Sequence, residues 1–176
     1  MNILSMRLKL IISANGPDRK GIVSEISSII SRHNANIETS KMIRLEKEFA
    51  MLILIEIQKD KKQTLNDELN LITDLSVNLI ETKTNQNILY ENKFHLYING
   101  ADNEGIVYSF SKFFSELEMN IDEVNTKIKN APMSATPLFM MDLIIGSKTE
   151  INFQKINEKL NFISEKLGVE VLIKKI

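Results

Sequence analysis

NGPDRKGIV, Asn15–Val23, returns as NGADNEGIV, Asn99–Val107. Asn-Gly, Asp and Gly-Ile-Val keep their places at a spacing of 84 residues (18 to 102). At the same spacing Asn36-Ile37-Glu38 becomes Asn120-Ile121-Asp122. Between them the apolar positions Ile22, Val23, Ile26, Ile29 and Ile30 map onto Ile106, Val107, Phe110, Phe113 and Phe114. An ungapped match of this length makes the chain two copies of one unit.

The first copy reads outward from its turn. Leu8, Leu10 and Ile12 alternate with polar residues, which predicts a strand over Arg7–Ala14. Residues 22, 23, 26, 29 and 30 recur at helical spacing, so an amphipathic helix runs from Gly21 to about His33. Strands follow over Ile37–Leu45 and Phe49–Gln58, joined by a tight turn at Glu46-Lys47. Leu65, Leu69 and Ile72 mark a second helix, and Val77–Thr82 a last strand. The order β-α-β-β-α-β is ferredoxin-like.

The second copy repeats this order, with strands at Phe94–Ile98, Met119–Lys129, Leu138–Ile145 and Val169–Ile173. Its helices run over Gly105–Leu117 and from Phe153 to Leu167, where Gly168 is placed to end the second. The expected fold class is α+β, two ferredoxin-like units with antiparallel sheets and helices on one face. The expected domains are 1–84 and 92–176, with a polar linker over 85–91. One difference stands out. Between its second and third strands the second copy carries Asn130-Ala131-Pro132-Met133-Ser134-Ala135-Thr136-Pro137, where the first has only Leu45–Glu48. The chain reverses at each element, so this loop falls at the same end of the sheet as the NGADNEGIV turn, a place where long loops tend to carry function.

Composition narrows the function classes. A net charge of −1 argues against direct nucleic-acid binding, which needs clustered Lys and Arg. With no cysteine and only His33 and His95, disulfides, thiolate zinc sites and multi-His metal sites are excluded. No apolar run approaches the roughly 20 residues of a membrane span. A cytoplasmic protein without metal, cofactor or membrane is expected. His33 reads as a surface residue at a helix end and His95 as a structural residue on a strand. Neither belongs to a nucleophile motif, so no catalytic residue is assigned.

The Gly turn itself suggests chemistry. Asp18 and Asp102 are placed to cap the helices that follow. Capping does not account for Gly21 and Gly105, since Gly in a first helical turn costs roughly 1 kcal/mol against Ala. A missing side chain lets another group approach the backbone. A helix N-terminus attracts a carboxylate, and Asp or Asn side chains can receive an ammonium. Together these suit a free amino acid. Phosphate fits less well, because no Gly-Lys-Ser/Thr follows. Arg19 has only Asn103 as its counterpart, so the two turns are expected to differ in affinity.

NGPDRKGIVSEISSIISRHNANIETSKM resembles the ACT domain, an amino-acid-sensing module of β-α-β-β-α-β form. Asp18-Arg19-Lys20-Gly21-Ile22-Val23 follows its Asp-Arg-Pro-Gly-Ile/Val signature, with Lys20 in place of Pro, and Asn36-Ile37 follows its second-strand start. The second unit keeps Asp102, Gly105-Ile106-Val107 and Asn120-Ile121 but departs at Asn103-Glu104. Two such units with a longer loop in the second resemble the glycine cleavage system regulatory proteins. The resemblance implies a non-enzymatic regulator that binds glycine or a similar amino acid. It would act on a DNA-binding transcription regulator by protein contact, and associate with other ACT units as a homo-oligomer such as a dimer. It also implies ligand contacts from Asn15, Asp18, Arg19, Gly21, Ile22 and Asn36, and from Asn99, Asp102, Gly105, Ile106 and Asn120. The Gly turn of one unit would face second-strand residues of a neighbour. Two other readings stay open. One is an interaction module without a ligand. The other is an acyl phosphate hydrolase, kept alive by Arg19 in the first loop of this fold class.

Overall fold

The structure, a computed structural model, describes residues 6–83, 90–131 and 136–176. The chain divides into two compact units, Met1–Gln86 and Asn87–Ile176. The first contains β1 (Arg7–Pro17), α1 (Ile22–Arg32), β2 (Asn36–Leu45), β3 (Glu48–Gln58), α2 (Lys62–Leu69) and β4 (Ser76–Thr82). The second contains β5 (Asn92–Ala101), α3 (Ile106–Glu116), β6 (Asn120–Asn130), β7 (Pro137–Ser147), α4 (Phe153–Leu167) and β8 (Val169–Lys175). The sheets have the orders β2-β3-β1-β4 and β6-β7-β5-β8, with antiparallel neighbours throughout. Both units are therefore ferredoxin-like, as the repeat predicts.

Strand alternation builds each core. In the first unit Leu10, Ile12 and Ala14 of β1 and Met51, Ile53, Ile55 and Ile57 of β3 turn to one face. Ile22, Ile26, Ile29 and Ile30 of α1 and Leu65 and Leu69 of α2 close over them. In the second unit Phe110, Phe113 and Phe114 of α3 do this job over Leu96, Ile98, Met141 and Leu143. Period-2 strands and period-3.6 helices thus present their apolar sides to the same layer. Among the described residues no helix is long and apolar enough to cross a membrane.

The boundaries shift at one informative place. β1 does not stop at Ala14: Asn15, Gly16 and Pro17 continue in register with Ala50, Phe49 and Glu48. Asn-Gly-Pro is locally turn-like, but the ladder offered by β3 overrides it, and β5 extends to Ala101 in the same way. The connection to the helix shrinks to Asp18–Gly21.

The β2–β3 turn lies at the same end, since the Asp18 N–H donates to the Lys47 carbonyl at 2.7 Å. In the second unit the Ala131 N–H donates to the Thr136 carbonyl at 2.8 Å, beside the β5–β7 pair Ala101 and Leu138. Both flanks of the proline-bounded loop are thus at the expected end. Residues 132–135, and most of the expected linker, lie outside the described residues.

The edge strands β2 and β6 each carry a bulge. The register slips between Ile37 and Thr39, and again between Ile121 and Glu123. The extra residues Glu38 and Asp122 reach Lys9 at 2.7 Å and Lys93 at 3.5 Å, equivalent ion pairs in the two repeats.

Candidate functional site

The two glycines of each turn have separate jobs. A Cβ on Gly16 would lie 2.8 Å from the Asp74 carbonyl oxygen, and one on Gly100 would lie 2.6 Å from that of Gly168. These glycines let the segment before the last strand approach the first. Gly21 and Gly105 stand at the N-caps of α1 and α3 with φ of 93° and 82°. There a left-handed backbone, not crowding, selects glycine. A Cβ on either would meet no atom within 4 Å. Gly16 and Gly100 thus serve the packing of the chain on itself, while the space beside Gly21 and Gly105 is open.

Asp18 and Asp102 do not cap the helices. Among the described residues no side chain bonds the N-caps of α1 or α3, whereas the Asn152 side chain accepts from Gln154 N–H and Lys155 N–H to cap α4. The N-cap position is Gly21, past Asp18, whose carboxylate lies 3.9 Å from the Arg44 guanidinium. Among the described residues the first turns of α1 and α3 thus have no side-chain acceptor for their N–H groups, and such groups favour an anion.

Arg19 is already engaged. Its Nε and Nη2 donate to the two carboxylate oxygens of Asp74, and Nη2 also donates to Glu25 at 2.6 Å. Asn103 does the corresponding work, donating from Nδ2 to the Leu167 carbonyl at 2.9 Å. Both residues tie the turn to the segment ahead of the last strand. The hydrogen bonds to Asp74, then to Glu25, raise the Arg19 pKa. In return the Arg19 hydrogen bond holds the Asp74 carboxyl below its usual range.

A carboxyl depressed in the folded state stabilises it above the unfolded value and loses that contribution as pH falls through the folded one. The turn is therefore expected to loosen in acid, below the ordinary Asp value of about 3.9. Carbon-detected NMR titration should place Asp74 below that value, and Arg19→Ala should return it there. An Asp74 midpoint equal in both proteins would break the link.

A groove of about 590 Å³ starts at Gly21 and runs between α1 and the end of α2. Ser24, Ser28 and Ile29 line one wall and Leu71 and Ile72 the other, with Arg19 and Arg32 along it. Arg32 is bonded to Glu68, which also meets His33 Nε2 at 2.7 Å. His33 is only 13% exposed in its side chain, so it fills the gap between the helices and is not the free surface residue expected. His95 bonds Asp142 at 3.0 Å.

The expected site residues separate into four places. Asp18, Arg19 and Gly21 come together at the turn, as do Asp102 and Gly105. Asn15 and Asn99 lie on the strands just before, opposite Ala50 and Met140. Ile22 and Ile106 are each 2% exposed and belong to the cores. Asn36 and Asn120 lie at the other end of their own sheets, opposite Glu56 and Gly146. Asn120 donates to the Tyr90 hydroxyl at 3.4 Å, and that hydroxyl donates to Asp122 at 2.6 Å. No single unit gathers both sets. Asp74 went unread as the partner of Arg19, since the two are 55 residues apart and no spacing rule links them.

The ACT domain family profile matches residues 9–79. The glycine cleavage system transcriptional repressor of Escherichia coli is 27% identical over 131 residues, 73% of this chain and 69% of that protein. A UPF0237 protein of Methanopyrus kandleri is 39% identical over 51 residues, 29% of this chain, and the match spans 57% of that relative's length. A crystal structure of an unknown protein from Galdieria sulphuraria superposes with a TM-score of 0.83 at 24% identity, over 97% of this chain and 99% of that one, which speaks for the fold. Residues 9–79 are an ACT domain, and the second unit repeats its β-α-β-β-α-β fold and its Gly turn.

Proposed function

We propose that the protein is a non-enzymatic regulator that responds to a small amino acid and acts through a protein partner. The observation that carries this reading is the pair of helix N-termini behind Gly21 and Gly105, each without a side-chain cap among the described residues. A ligand carboxylate on those N–H groups and an ammonium near Asp18 or Asp102 would complete the turn. The likeness to the E. coli glycine cleavage system transcriptional repressor supports glycine as the first amino acid to try and a DNA-binding transcription regulator as the partner. Asn36 or Asn120 would join the site from a neighbouring unit, because each lies far from its own turn. The cytoplasm is the compartment that fits such a role.

Isothermal titration of the full chain with glycine, serine and other small amino acids tests this. Saturable binding of at least one is expected, with Gly21→Ala weakening it. Alanine at φ 93° is strained by about 1–2 kcal/mol, so the turn would shift. Absence of heat with every amino acid, from folded protein, would end the sensing reading.

One observation favours a ligand-free interaction module instead. All of β2 is exposed, including Ile37, Met42, Ile43 and Leu45, and an apolar edge of this kind invites strand pairing. Under that reading Gly21→Ala alters assembly, read by light scattering, and no amino acid changes it.

A further inference from the structure

The two sheets differ sharply on the face turned away from their helices. In the first unit, neighbouring positions there are Ser13, Lys41, Ile43, Leu45, Ala50 and Leu52. Ile43, Leu45 and Leu52 are 50%, 64% and 54% exposed. The repeat puts Tyr97, Asn125, Lys127, Lys129, Met140 and Asp142 at the corresponding positions of the second unit. There the same patch of the fold forms a cavity of about 390 Å³. That is enough for a small molecule.

Lys127 and Lys129 alternate along β6 on one face, so their strand positions are roughly 7 Å apart. Among the described residues neither ammonium has a hydrogen-bond or ion-pair partner, nor has the Tyr97 hydroxyl. Two like charges this close repel each other, and a bound anion would relieve the repulsion. Met140 and the Tyr97 ring supply an apolar floor. Asp142, the acidic group in the cavity, is held by His95 at 3.0 Å. The Asn125 amide donates to Glu123 at 3.1 Å. The cations are thus left for something from outside.

We propose that this face of the second unit binds a small organic anion. Its carboxylate or phosphate head sits on Lys127 and Lys129, and its apolar or aromatic body lies on Tyr97 and Met140. The Tyr97 hydroxyl donates one further hydrogen bond. The site shares no residue with the Gly105 turn and does not rest on the amino-acid reading.

The test uses the full chain, labelled with nitrogen-15 and titrated separately with glutarate, benzoate and phenyl phosphate at constant ionic strength. At least one probe is expected to give saturable shifts in the β6 and β7 amides around Lys127 and Met140. Lys127→Ile with Lys129→Leu installs the residues of the first unit and should weaken binding about tenfold or more. Lys127→Gln with Lys129→Gln should do the same without adding apolar surface, and raising the salt should weaken binding to the parent chain. Whichever head group binds tighter, carboxylate or phosphate, supports the site and names its preference. No saturable shift with any probe, or equal affinity in a folded double variant, overturns it.

Discussion

Gly100→Ala is expected to lower the urea midpoint of the second unit far more than Gly105→Ala in the same turn. At Gly100 a methyl group would meet the Gly168 carbonyl oxygen and the Val169 Cα, both at 2.6 Å. These are backbone atoms in the first pair of the β5–β8 ladder, so relief means prising the edge strand away. The cost should reach the upper part of the ~1–3 kcal/mol seen for overpacking, or exceed it. At Gly105 the methyl group meets nothing, and only the left-handed φ is strained, at about 1–2 kcal/mol. Tyrosine fluorescence reads this unit, because Tyr90, Tyr97 and Tyr108 all belong to it. Equal midpoints for the two variants would contradict the division of labour between the glycines.

Phe110→Ala should cost about 3–5 kcal/mol by the same readout. The ring is fully buried under α3, in the cluster formed with Leu96, Ile98, Met141 and Leu143. Removing it opens a cavity directly behind the helix whose N-terminus carries Gly105. The repeat supplies a control, since Ile26 holds the matching place in the first unit. Phe110→Ile should lose less than Phe110→Ala, because the branched side chain refills part of the space. If Phe110→Ala shifted the midpoint by less than Gly105→Ala, the α3 core would not be the anchor the packing makes it.

The repeat is what made the fold legible. Leu8, Leu10 and Ile12, read beside Phe94, Leu96 and Ile98, settle the first strand of each unit, and Gly168 ends α4 as its position suggests, at φ 66°. The turn was harder to read. A left-handed φ at Gly21 and a close approach at Gly16 leave the same letter in the sequence, and only the path of the chain separates them. Asp18 looked like a cap because capping is judged by proximity along the chain. The helix starts at Ile22 with Gly21 as its N-cap, so Asp18 stands ahead of the capping position. Ile22 and Ile106 carry the family signature for the sake of the cores. The cationic face of the second unit was within reach: setting Lys127 and Lys129 against Ile43 and Leu45 at the repeat spacing exposes the change. The cavity they form also needs Met140 and Asp142 from the next strand, and only the register brings those alongside.

The bulges at Glu38 and Asp122 limit what can be added to the edges. A bulge bends its strand and sharpens the local twist. A guest strand laid along β2 in continuous register therefore has Thr39–Leu45 to pair with and must leave the sheet before Ile37. On β6 the straight run is Glu123–Asn130. The β2 and β6 edges thus offer a guest strand in continuous register only these straight runs, and so set the length of what would pair there.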